Sequence, residues 1–302
     1  TIVTQYTMTT IEELGLLKMD FLGLKTLSII KEAIENIKHS KGIVLDIDRI
    51  DINDPITYDL YCEGRTIGTF QFESPGMQKY LRELEPSTFE DLIAMNALYR
   101  PGPMDSIPTF IECRHNPDKA TYVTPALEPI LRSTYGCVVY QEQVMSIFRE
   151  IGGYTFGHAD IVRRAMSKKK ASALAAERDN FISGAAERGV DRETAEKLFE
   201  DMSSFASYAF NKSHAAAYAM LSFRTAYLKA HHPREYFSAL LTSVLGNADK
   251  IAEYIAEANR AGIRVLPPDI NRSMLDFHVS GNDITFGLLA LKNVGRQFVD
   301  KL

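Results

Sequence analysis

Between about residues 89 and 261, apolar side chains recur every three or four positions, the period of a helix that buries one face. Arg100-Pro-Gly-Pro103, Gly152-Gly153, Gly189 and Pro233 interrupt it, so the stretch reads as several helices. Upstream, Leu27, Ile30, Ile34 and Ile37 predict a helix over residues 25–38. Before it, residues 11–24 read as a short helix and then an apolar strand at 16–22, closed by Gly23. Residues 66–72 alternate like a short strand, and Ser74-Pro75 supplies an N-cap and a first helical position. A long helix is expected to start with Ser213 as its cap and to bury Ala216, Met220, Phe223, Tyr227 and Ala230. Pro267-Pro268 marks a boundary, and residues 277–279 and 284–286 predict a hairpin across Gly281-Asn282. The expected fold is mostly α, with one strand segment near the N-terminus and a small β-hairpin near the C-terminus.

Composition narrows this picture. A chain of 302 residues with 45% hydrophobic content can bury a substantial core and has room for about two domains. Its 34 Lys and Arg against 39 Asp and Glu, a formal charge of -5, argue against a surface that binds nucleic acid everywhere. A local basic patch is still compatible. Cys62, Cys113 and Cys137 lack C-x-x-C or zinc-type spacing, which predicts reduced thiols in a cytosolic protein. No apolar run approaches the roughly 18 residues that span a bilayer, so no membrane is expected. The opening Thr1 and a helical pattern still open at Leu302 suggest a piece of a longer protein.

Several residues carry candidate chemistry. Asp20, ending an apolar run, suits either a divalent metal that bridges phosphates or an ordinary pairing with a nearby Lys or helix end. Asp46 and Asp48 share a strand-like D-x-D spacing but lie in a connector with Asp51, Asp54 and Pro55, which favours a structural role. The strongest basic feature runs from Asp160 to Lys170: Arg163, Arg164, Lys168, Lys169 and Lys170 follow the Gly-rich residues 152–157. Arg163 and Arg164 are expected near a helix start, where they either chelate phosphate or form a solvated face. Lys212 and His214 flank the start of the long helix as phosphate contacts or polar ends, and Tyr140-Gln-Glu-Gln143 suits a groove lining. His231 and His232 end that helix, where cations suit its dipole.

Taken in order, Met19-Asp-Phe-Leu-Gly-Leu-Lys-Thr26, Thr69-Phe-Gln-Phe-Glu-Ser-Pro-Gly-Met77, Tyr99-Arg-Pro-Gly-Pro103, Tyr140-Gln-Glu-Gln-Val-Met145, Arg163-Arg-Ala-Met-Ser-Lys-Lys-Lys170 and Phe210-Asn-Lys-Ser-His214 form a linked series. Leu266-Pro-Pro-Asp-Ile-Asn271 and Ala290-Leu-Lys-Asn-Val-Gly295 continue it. The series resembles the bacterial DNA polymerase III alpha-subunit family, the C family of replicative DNA polymerases, over essentially the whole chain. The resemblance implies the end of a nucleotidyltransferase palm at residues 1–30, helical fingers at 31–266, and a hairpin leading into a helix-hairpin-helix-like region at 267–302. Asp20 matches the third catalytic aspartate, a ligand of a two-metal Mg2+ site whose other aspartates come from a D-x-D strand before this sequence. Arg163 and Arg164 match paired arginines that hold the triphosphate, with Lys79 and Arg100 as further nucleotide contacts. Lys168, Lys169, Lys170, Lys212 and His214 are implied DNA contacts. The implied function is DNA-directed DNA polymerisation in bacterial chromosome replication, in the cytoplasm, with this chain inactive alone. The implied partners are primer-template DNA, deoxynucleoside triphosphates, the rest of the polymerase chain, the sliding clamp and other replisome subunits. The alternative is a non-catalytic nucleic-acid-binding scaffold of the same descent.

Overall fold

The structure, a computed structural model, describes every residue except 1, 18, 20, 168–170, 206–207, 300 and 302; the side chains of 167 and 171–173 also stand outside the description. After a short α1 (Met8–Glu13), the expected strand at 16–22 does not form among the described residues. Leu17, Phe21 and Leu22 are exposed, and among the described residues no strand pairs with this run. An apolar run without a ladder partner gains nothing from extension into a strand. By contrast, α2 (Lys25–Lys41) forms as expected, burying Ile30 and Ile37 with Ile29 and Ala33, and Gly42 ends it at φ 68°.

Three cores follow. The first joins α3 (Pro55–Cys62), α4 (Pro75–Leu84), α5 (Phe89–Leu98) and α6 (Ile107–His115) around Tyr61, Phe72, Leu92 and Phe110. The second joins α7 (Glu128–Leu131), α8 (Gln141–Glu150), α9 (Phe156–Ser167), α10 (Ala171–Glu187) and α11 (Arg192–Phe205). Phe148 sits at its centre, with the rings of Tyr154 and Phe181 both 5.3 Å away. Here α10 crosses the Gly152-Gly153 turn so closely that a Cβ on Gly184 would lie 2.0 Å from the Gly152 carbonyl oxygen. Only glycine fits that crossing.

The helix α12 (Lys212–His231) ties the first core to the third. Ala215, Ala219, Phe223 and Ala226 face the first, and Leu228 joins α2, α13 (Pro233–Ser243) and α14 (Ala248–Arg260) in the third. The expected hairpin is present as β2 (His278–Ser280) antiparallel to β3 (Asp283–Thr285), and β1 (Val265–Leu266) adds to β3 in parallel. Phe277 and Ile284 pack this sheet onto the third core, and α15 (Arg296–Val299) follows. Among the described residues no helix is long and apolar enough to cross a membrane.

Three local expectations are corrected. Residues 66–72 form a compact turn rather than a strand, because side chains satisfy their backbone groups. Phe70 N–H donates to Thr225 Oγ1 at 3.0 Å, Tyr236 donates to the Gly68 carbonyl at 2.6 Å, and Thr66 donates to the Phe72 carbonyl at 2.7 Å. Asn211, not Ser213, caps α12, its side chain accepting from His214 N–H at 2.8 Å. Of the five stripe residues expected on α12, Phe223 alone is fully buried. The helix runs between cores, so polar Ser222, Thr225 and Lys229 are buried with partners instead.

Asp54 caps α3, accepting from Thr57 N–H at 2.8 Å, and also meets His231 Nε2 at 2.9 Å. Burial pushes its carboxyl up, but the bonds from Thr57 and His231 more than offset this and hold it below the ordinary 3.8. A depressed carboxylate stabilises the fold fully above its unfolded pKa and loses that contribution as pH falls through the folded value. Asp54→Ala should therefore cost about 1 kcal/mol at pH 7, the usual worth of a cap. The gap in urea midpoint should close as pH drops below about 4; a gap independent of pH would contradict this account.

Candidate nucleic-acid interface

Arg163 and Arg164 lie well inside α9, toward its C-terminal end, and not near a helix start. The Gly-rich turn is followed by two turns of helix before the arginines, so an N-terminal anion site is not what they form. Both reach back along the helix to one carboxylate. Arg163 Nη2 is 2.8 Å from Asp160 Oδ1, and Arg164 Nη2 is 2.7 Å from Asp160 Oδ2. These bonds, that of Arg163 foremost, hold the Asp160 carboxyl below its ordinary range. One anion is thus shared by two guanidiniums. Arg164 is 68% exposed at the side chain against 13% for Arg163, so the outer member of the pair faces solvent. The basic residues that follow, Lys168, Lys169 and Lys170, lie outside the described residues.

A second grouping surrounds the start of α12. Rings meet in a ladder: Phe210 to His214 edge-on at 5.3 Å, His214 to Tyr218 tilted by 32° at 4.2 Å, and Tyr218 to Phe70 tilted by 51° at 5.1 Å. The Arg100 guanidinium lies 4.3 Å over the Phe210 ring and donates to the Ala97 and Tyr208 carbonyls. Burial lowers its pKa, though an arginine remains charged at any ordinary pH. Lys212 Nζ sits 2.9 Å from Glu90 Oε2 and 5.2 Å from the Tyr140 ring. Arg100 and His214 thus meet on the Phe210 ring, while the Lys212 ammonium is directed to Glu90 and Tyr140. Lys79, by contrast, is exposed on α4 with a loose 3.7 Å pairing to Glu83. Reading the sequence missed Phe70, Phe210 and Tyr218, although the last two share i, i+4, i+8 spacing with His214.

The acidic connector has local uses. Asp46 accepts from Asp48 N–H at 3.0 Å and pairs with Arg49 at 3.3 Å, while Asp48 pairs with Arg224 of α12. Among the described residues no three His, Cys, Asp or Glu side chains cluster as a metal site, and Asp20 lies outside them. The cysteines are free thiols, and burial pushes Cys137 up to about 11. A thiol so protonated at neutral pH is a poor nucleophile.

With this geometry in view, similarity to known proteins is informative. Residues 26–189 match the family described as bacterial DNA polymerase III alpha subunit finger domain, and residues 262–302 match a helix-hairpin-helix motif. The chain is 52% identical to DNA polymerase III subunit alpha of Thermus aquaticus, over 97% of this chain and 24% of the relative. It is 50% identical to the Borreliella burgdorferi protein of that name, over 98% of this chain and 26% of the relative. For the Bacillus subtilis protein the identity is 45%, over 97% of this chain and 26% of the relative. The chain thus spans about a quarter of the length of the curated relatives it matches.

Proposed function

Because the chain belongs to the bacterial DNA polymerase III alpha-subunit family, spanning its finger domain, we propose that it grips the incoming nucleotide and primer-template DNA during DNA synthesis. The observation that carries this reading is the ladder of Phe210, His214, Tyr218 and Phe70, flanked by Arg100 and Lys212. Aromatic faces stack on any base, and neighbouring cations neutralise phosphates without reading sequence. His214 is the exposed rung. Arg163 and Arg164 are assigned to the triphosphate, with Arg164 as the solvent-facing donor, and Lys79 to a peripheral nucleotide contact. Lys168, Lys169 and Lys170 would hold the DNA backbone, as would the helix-hairpin-helix region.

In the polymerase to which the chain would contribute, a primer 3′-hydroxyl attacks the α-phosphorus of the nucleotide and pyrophosphate leaves. Asp20 is assigned to the metal-binding carboxylates of that reaction. The residues described here would bind and orient the nucleotide and balance phosphate charge. Residues 1–30 would then end the palm, residues 31–266 form the fingers and residues 267–302 lead into the helix-hairpin-helix region. The remaining partners would be the rest of the polymerase chain, the sliding clamp and the replisome, in the bacterial cytoplasm.

His214→Ala in the polymerase subunit containing this chain should raise the triphosphate KM or the primer-template Kd at least about fivefold, the lower end of a lost base stack. His214→Phe should retain most of the affinity, since a ring remains. Unchanged values for His214→Ala would remove the ladder from the reading. Nucleic-acid binding without any incorporation by the wild-type subunit would favour the scaffold alternative.

A further inference from the structure

The run Tyr140-Gln-Glu-Gln143 reads from sequence as a groove lining, but the structure gives its polar groups another use. Gln141 N–H donates to the Phe210 carbonyl at 2.9 Å, Phe210 N–H donates to the Val139 carbonyl at 3.2 Å, and Gln141 Nε2 donates to the Ala209 carbonyl at 3.0 Å. The Glu142 carboxylate accepts from Asn211 Nδ2 at 3.0 Å and from Lys212 N–H at 3.0 and 3.1 Å. Gln143 turns inward, its Oε1 accepting from Val139 and Tyr140 N–H at 2.8 and 2.9 Å and its Nε2 donating to Thr134 at 2.7 Å. Gln141, Glu142 and Gln143 are therefore each engaged in holding backbone or a cap, while the Tyr140 hydroxyl is buried without a hydrogen-bond partner among the described residues.

What Glu142 holds is the start of α12. Asn211 is the cap of that helix and Lys212 its first residue, so Lys212 N–H is among the donors that no helical carbonyl can reach. Glu142 is also in the first turn of α8. One carboxylate thus lies at the N-termini of two helices, where both dipoles favour negative charge. The Asn211 side chain is doubly used, with Oδ1 capping His214 N–H at 2.8 Å and Nδ2 donating to Glu142. His214 is an inner rung of the ladder and Phe210 its end. The same carboxylate therefore reaches the backbone of the ladder through a single residue.

We infer that Glu142, with Gln141, is a positioning residue that locks the 209–214 turn onto α8 and so sets where His214 and Phe210 meet a nucleotide or primer-template base. This rests on the proposed use of the ladder. The carboxylate is not itself a contact to substrate: its oxygens are taken up by Asn211 and Lys212. Without it, the turn keeps the Arg100 clamp and the bridge from Val139 but loses the link to its cap.

The test is steady-state incorporation and primer-template binding by the polymerase subunit containing this chain, with Glu142→Ala, Glu142→Gln, His214→Ala and the double alanine variant. Glu142→Ala should raise the triphosphate KM or the primer-template Kd, whichever His214→Ala raises, about three- to fivefold, with kcat within about twofold. Glu142→Gln keeps an acceptor oxygen without the charge and should return the affected constant to within about twofold of wild type. If Glu142 acts through His214, the double variant should be little worse than His214→Ala alone. Fully additive effects, or a lowered thermal midpoint with the constant unchanged, would overturn the inference. If His214→Ala impairs and Glu142→Ala does not, the ladder stands and the latch falls. If His214→Ala has no effect, both fall.

Discussion

Lys229→Met is expected to lower the unfolding free energy by about 3–5 kcal/mol, the cost of removing one partner from a buried ion pair. Lys229 lies in the interior with its side chain 4% exposed, and its ammonium has three acceptors. It donates to the Arg65 carbonyl at 2.6 Å, the Ile67 carbonyl at 2.8 Å and Glu257 Oε1 at 2.8 Å. One carbonyl immediately precedes the 66–72 turn and the other lies within it, so one amine joins α12, α14 and a loop that makes no ladder. Methionine fills the same space without a donor, which separates lost polar contacts from lost volume. Among the described residues Glu257 would keep Arg260 alone, at 3.1 Å, and that arginine is largely exposed. Burial pushes the Glu257 carboxyl up, and Lys229 with Arg260 more than offsets this to hold it below its ordinary range. Adding Glu257→Gln to Lys229→Met removes the stranded charge and should recover part of the loss. Urea unfolding followed by circular dichroism reads both values from the midpoint and slope. A loss below about 1 kcal/mol for Lys229→Met would mean that water reaches these carbonyls and the pair is not integral to the core.

Arg163→Ala and Arg164→Ala, in the polymerase subunit containing this chain, are each expected to weaken the apparent triphosphate affinity and slow incorporation about ten- to a hundredfold. That range corresponds to about 1.5–3 kcal/mol for a lost charge-assisted contact. The two arginines share the Asp160 carboxylate, one oxygen each, so neither is held independently of the other. Lysine at either position keeps the charge but loses the planar fork, and Arg164→Lys should still impair incorporation. Primer-template affinity should change much less. Incorporation at varied triphosphate, beside a DNA-binding titration on the same variants, decides the point. Loss of DNA affinity with normal nucleotide kinetics would turn this group into a DNA-backbone patch.

Local chemistry was legible wherever a short stretch contains its own cause. Pro75 after Ser74 starts α4, Gly281 turns the hairpin at φ 62°, and the spacing of Ile30 and Ile37 marks the buried face of α2. The Asp and Pro connector likewise showed its structural role, since Asp46, Asp51 and Asp54 accept from residues two or three places along. The linked motifs made the family legible, and the family match bears that out.

The amino-acid order by itself thus determined the helical class, the hairpin and the family. Only the tertiary structure decided which polar residues enter the core and which residues share a surface. No local pattern marks Ser222, Thr225 and Lys229 for burial: Thr225 and Lys229 serve backbone groups of the 66–72 turn, and Ser222 meets the Tyr61 hydroxyl. The arginines read as a helix start until α9 is seen to begin at Phe156. Phe70, Phe210 and Arg100 are far apart in the chain, and no local period links them. Hydrophobic periodicity reports only which face of an element avoids water. Where a buried polar group finds its partner depends on which elements pack together, and that information is non-local.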